Sequence, residues 1–145
     1  MTRDNLKKRN LNKPVCCIFC AEDETIEHLF FQCIVAKHVW QFISEFFSLP
    51  LGVDFISIAK FWLANKKHAT LNSVCSATLW CIWKFRNNMI FNGLPWINLH
   101  QVLHMILRSV KRWMIIFKEP MLPVAEEFCG HASRHLRKKF ELTSG

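Results

Sequence analysis

Four residues near the start of the chain have the types and spacing to hold a metal ion. Cys17-Ile-Phe-Cys20, then His28, then Cys33 reads C-x2-C-x7-H-x4-C. Three thiolates and one imidazole make a tetrahedral ligand set of the kind zinc takes. A C-x2-C pair is short enough for both sulfurs to reach one ion from a tight turn. Cys17 forms such a pair with Cys20; the neighbouring Cys16 would give the less usual C-x3-C. Four protein ligands fill the coordination sphere, so the spacing predicts one structural Zn2+ with no position left for a catalytic water. The competing reading is four ordinary core side chains, since free cysteine is often buried. Four spaced ligands favour the metal.

The elements must place these ligands. His28 and Cys33 are five residues apart, which on a straight α-helix puts them roughly 140° apart around the axis. They cannot face one ion from such a helix. The sequence therefore predicts a short turn carrying His28 and a longer helix starting near Cys33 at another angle.

Downstream, apolar residues recur at helical spacing. Val35, Val39, Phe42, Ile43 and Phe46 mark a helix over 34–47, stopped by Ser48-Leu-Pro-Leu-Gly52. Asp54 can cap a second, with Phe55, Ile58, Ala59, Trp62 and Leu63 as its stripe and its end near Asn65. Thr70 is read as the cap of a third, running to about Asn92. Its stripe of Leu71, Val74, Cys75, Thr78, Ile82, Phe85 and Met89 is widened by Trp80 and Trp83, so it should be central in the core. Asn98 opens a fourth, with Leu99, Val102, Leu103, Ile106, Val110, Trp113 and Phe117 along one side, ended by Pro120 and Pro123. The expected fold is mostly α: a small Cys3His zinc knot packed on about four helices, with basic tails at both ends. The divisions are a basic arm over 1–14, the knot and helical domain over 15–118, and a basic tail over 119–145. That tail is expected to hold one turn of helix over 133–140.

The 145 residues carry a formal charge of +8, are 51% hydrophobic and 13% aromatic, and suit one domain with a modest core. Lys7, Lys8, Arg9 and Lys13 lie at one end and Arg137, Lys138 and Lys139 at the other. Such runs read as solvated tails or as phosphate contacts that position a protein without reading sequence. RNA or DNA is the expected partner of these ends. The loop before His28 carries Glu22, Asp23, Glu24 and Glu27, whose charge would keep a phosphate backbone off the knot. Cys129 with His131 and His135, and His100 with His104, lack a full ligand set and read as solvated histidines. Cys75 and Cys81 read as small buried hydrophobes.

The sequence lacks most catalytic signatures. It has no P-loop, no nucleophile elbow and no paired aspartates of a two-metal site. No secretory leader and no membrane-spanning run is visible, so an intracellular setting with reduced thiols is expected.

Glu24-Thr-Ile-Glu-His28-Leu-Phe-Phe-Gln-Cys33-Ile-Val-Ala-Lys-His-Val-Trp40 resembles the zinc-binding domain of plant non-LTR (LINE-type) retrotransposon reverse transcriptases. Thr2 to Arg9 resembles the basic run before its first Cys pair. Trp80-Cys-Ile-Trp83-Lys-Phe-Arg86-Asn87 and Phe91-Asn92-Gly93 resemble stretches common downstream. The resemblance spans about 2–93 and implies the ligand roles for Cys17, Cys20, His28 and Cys33. It implies the C-terminal part of that domain, truncated and without its polymerase, and a nuclear location. The expected function is a structural zinc module with accessory nucleic-acid binding and no catalysis. The alternatives are a protein-interaction module packing on a polymerase or on itself through Trp40, Trp62 and Trp96, or a relic without function.

Overall fold

The apolar spacing after Cys33 produces a helix with the limits expected of it. α1 spans Ile34–Phe47 and buries Val35, Ala36, Val39, Trp40, Phe42 and Ile43. This computed structural model describes residues 16–62 and 66–143, with side chains as far as Lys138. Lys7, Lys8, Arg9, Lys13 and Leu63, and the side chain of Lys139, lie outside the described residues.

α1 ends where Ser48 turns into the left-handed region at φ 53°. Ser44 then holds the outgoing chain, its hydroxyl donating to Leu51 O at 2.9 Å and accepting from Leu51 N at 3.0 Å. Gly52 follows at φ 82°, and a Cβ there would fall inside the Trp40 ring. Only glycine meets both demands without strain.

α2 is short, Phe55–Ala59, and Asp54 caps it as expected. Asp54 Oδ1 accepts from Ser57 N at 2.8 Å, completing a capping box. The second stripe was expected to run on as helix through Trp62; the helix instead stops at Ala59 and passes into turns.

α3, Ala69–Phe91, is the long helix of the core. Thr70 does not cap it. That side chain lies within the first turn and donates to Met121 O at 3.0 Å, tying the helix start to a distant segment. α4 spans His100–Trp113, and Asn98 Oδ1 accepts from His100 N at 2.9 Å at its entrance. Cys81 faces Ser109 while Thr70 faces Met121, so residue numbers on the two sides run in opposite directions. This is the pattern of an antiparallel hairpin, as short linkers favour.

The largest departure from expectation is at the C-terminal end. In place of a tail with a single turn, the structure shows α5, a 22-residue helix over Leu122–Thr143. Its apolar residues Ala125, Phe128, Cys129, Ala132 and Leu136 are buried. They fall at helical spacing and pack on α4 and α3. Phe128 also meets Phe46 of α1 edge-on at 5.2 Å between centroids. The basic residues around this stripe masked a real amphipathic face. Charge on one side of a helix does not prevent burial of the other.

Trp40, expected as an exposed docking residue, is buried. Its indole N–H donates to Phe30 O at 2.7 Å, and its ring stacks on Phe31. Trp62 and Trp96 are exposed at 49% and 39%. Among the described residues the one extended pairing is an isolated antiparallel bridge between Cys16 and Asp23. No helix among them is long and apolar enough to cross a membrane.

Candidate metal centre

The Cys16–Asp23 bridge closes a tight knuckle. Within it Cys17 N donates to Glu22 O at 2.6 Å, and Glu22 N donates to Cys20 O. Phe19 N points at Cys17 Sγ from 3.4 Å. Backbone N–H groups aimed at sulfur favour the thiolate, the form that binds metal. The bridge also decides between the paired cysteines. Cys16 is exposed, while Cys17 is buried and turned inward.

The other two ligands come from a π-helical turn over His28–Gln32. Its closing bond runs from Cys33 N to His28 O, five residues back, at 2.7 Å. That wider ring brings residues five apart onto one side, which an α-turn does not. Cys33 itself is extended, at φ −61° and ψ 146°, and α1 begins immediately after it. The short turn and the change of direction expected from the spacing are both present. The turn is held at its start by Thr25 Oγ1, which accepts from His28 N at 3.0 Å.

The four ligand atoms of Cys17, Cys20, His28 and Cys33 converge to within 4.8 Å of one another. Cys17 Sγ and Cys20 Sγ each lie 3.8 Å from Cys33 Sγ. A tetrahedral ion holding sulfur at about 2.3 Å sets two sulfurs about 3.8 Å apart. Cys20 Sγ lies 3.1 Å from His28 Nε2. The opposite nitrogen, His28 Nδ1, faces Glu22 Oε2 at 3.4 Å. A carboxylate behind a ligating imidazole fixes its tautomer and raises its basicity. The donor set, its distances and its burial fit one zinc ion held by Cys17, Cys20, His28 and Cys33.

The hydrogen bond from Cys33 draws the Cys17 thiol down to about 5. The same contact and burial push Cys33 up. Two sulfurs this close share a proton when no cation lies between them, and a divalent ion would replace that proton.

Two ties fix the knot to the helical body. Phe19 stacks on Phe85 of α3 at 6.0 Å and tilts against Trp96 at 5.5 Å. Arg86 of α3 grips Glu24 through Nη2 to Oε1 at 2.5 Å and Nε to Oε2 at 3.2 Å. Both side chains are fully buried. Glu24 therefore does not join Glu22, Asp23 and Glu27 in the acidic loop surface that the sequence predicts. It is neutralised by a bidentate guanidinium, while Glu22, Asp23 and Glu27 remain exposed. The only sequence signal for this pair was an arginine inside an apolar helix.

Arg137 and Lys138 of α5 are exposed and well away in sequence from the knot. The weaker ligand groups do not close in the way their sequence spacing offered. Cys129 Sγ turns to Met114 Sδ at 3.9 Å, and His104 and His131 are exposed.

Residues 1–40 match the family model described as zinc-binding in reverse transcriptase. That segment contains all four ligands and ends at Trp40. No curated protein and no solved structure matches the chain.

Proposed function

We propose that this chain is a zinc-clamped accessory module, derived from the reverse transcriptase of a LINE-type element, that binds nucleic acid through basic surfaces and performs no catalysis of its own. The origin rests on the match over 1–40 and on the Trp80–Gly93 stretch. The observation that carries the binding role is a division of charge. Helices α4 and α5 present Arg108, Lys111, Arg112, Arg134, Arg137 and Lys138 to solvent, set against Glu126 and Glu127 near the start of α5. The knot presents Glu22, Asp23 and Glu27. Phosphate contacts therefore belong to the helices, with Lys139 and the basic run Lys7, Lys8, Arg9 and Lys13 adding to them. The zinc holds the fold and does not touch the ligand.

Neutralising phosphates releases counterions, so affinity falls steeply with salt. Anisotropy of labelled single-stranded RNA with the zinc-loaded chain should weaken at least tenfold between about 50 and 200 mM salt. Arg137→Ala with Lys138→Ala should weaken it uniformly across sequences and flatten that salt slope. Binding indifferent to salt, or none at low salt, rejects the proposal.

A second reading is favoured by one surface feature. Phe30, Trp62, Ser76, Leu79, Trp80 and Trp83 line an open apolar groove. Trp80 is 49% exposed and stacks obliquely on Trp83. Exposed apolar patches mark partner surfaces. The occupant favoured by the family description is an apolar segment of a reverse-transcriptase polymerase. Co-purification with such a segment at high salt, lost in Trp80→Ser, supports this reading. Self-association of the chain alone, or a monomer that ignores the segment, rejects it.

A further inference from the structure

Three helices each deliver one histidine to the same place. His38 comes from α1, His100 from the first turn of α4 and His135 from α5. One ring nitrogen of each lies within 4.8 Å of the others. The rings meet edge-on, His38 with His100 at 5.3 Å between centroids and His100 with His135 at 5.9 Å. His38 Nε2, His100 Nδ1 and His135 Nε2 are shielded from solvent. The ring of Phe42 lies 4.9 Å from His135 and walls one side with hydrocarbon. None of these residues belongs to the Cys3His centre.

We propose that His38, His100 and His135 form a second metal site, taking zinc or another divalent first-row ion. Imidazole suits Zn, Cu and Ni, whereas Mg and Ca prefer oxygen. One nitrogen from each ring within 4.8 Å of the other two is close enough for a single ion to reach all three. Three imidazoles in so small a space repel one another when protonated, and a single cation uses all three in their neutral form. Three protein ligands leave the fourth tetrahedral position to water or a small anion. The ion would clip α5 to α1 and α4. A C-terminal helix with few large apolar side chains gains most from such a link.

The test uses the full chain loaded with zinc and freed of loosely bound metal. Mass analysis of metal per chain should give two ions. His38→Gln, His100→Gln and His135→Gln should each give one. His68→Gln, outside the cluster, should keep two. Cobalt added to a chain holding one zinc in its thiolate site gives a reading without any substitution. Ligand-field bands without thiolate charge transfer are expected, because the second site has no sulfur. One ion per chain at every zinc concentration, no cobalt bands, or a second ion surviving all three substitutions overturns the proposal. Such failure leaves the Cys3His reading untouched, since that site is read by its own sulfur-to-cobalt absorption.

Discussion

The seven cysteines fall into chemically different groups although none forms a disulfide. Cys16 is exposed, three others belong to the metal knot, and Cys75, Cys81 and Cys129 are buried in helices. With zinc bound, Cys16 alone should react quickly with a thiol-specific chromophore. Chelation should bring in Cys17, Cys20 and Cys33, while Cys75 stays protected until the chain unfolds. Burial pushes the Cys75 thiol up to about 12 from an ordinary 9.0. The neutral form is thus the one the fold favours. Its stabilising effect is whole below pH 9 and is lost as pH rises toward 12. The total is of order 4 kcal/mol. Denaturant midpoints measured across that range should fall with pH, and Cys75→Ala should make the fall shallower.

Between elements, the contact of greatest consequence joins the knot loop to α3 through Glu24 and Arg86. A buried ion pair is weak evidence of net stability, because desolvation offsets much of the attraction. Removing one partner is different. Arg86→Met strands a buried carboxylate and should cost about 3–5 kcal/mol. The double change Arg86→Met with Glu24→Gln should recover a large part of that loss. A double variant no better than the single one would mean the pair does more than satisfy charge. Urea melts of the zinc-loaded chains make the comparison. The π-turn belongs to this scale too. It reconciles a five-residue ligand spacing with a common ion, at the place where α1 must start in a new direction.

For the whole molecule, the knot and the helices form one body linked by Phe19 and by the Glu24–Arg86 pair. Loss of zinc should therefore be felt by the helices. Chelation should lower the thermal midpoint by roughly 2–4 °C for each kcal/mol of binding free energy lost. Unchanged helical circular dichroism and an unchanged midpoint would show that the metal clamps nothing. α5 is as much part of the body as the knot. Phe128 is fully buried against Phe42, Phe46 and Phe47 of α1, and Phe128→Ala should cost about 3–5 kcal/mol in the same melts. A cost near zero would return the last segment to the status of a tail.

Local spacing by itself determined a Cys3His ligand set with Cys20, His28 and Cys33, the break between His28 and Cys33, and the limits of α1. Each depends on residues within one turn or one loop of each other, where backbone geometry leaves few choices. The central place of α3 was legible for a related reason, because a helix apolar on most sides must be covered on most sides. Which of the paired cysteines faces inward depended on the Cys16–Asp23 bridge. Whether Glu24 is solvated depended on Arg86, far along the chain. The histidines of α1, α4 and α5 meet only when those helices pack. α5 was missed because three of its buried positions, Ala125, Cys129 and Ala132, are small, so a regular stripe was overshadowed by the charge around it. Burial is decided by what the other side of the molecule supplies, and only the packed structure contains that information.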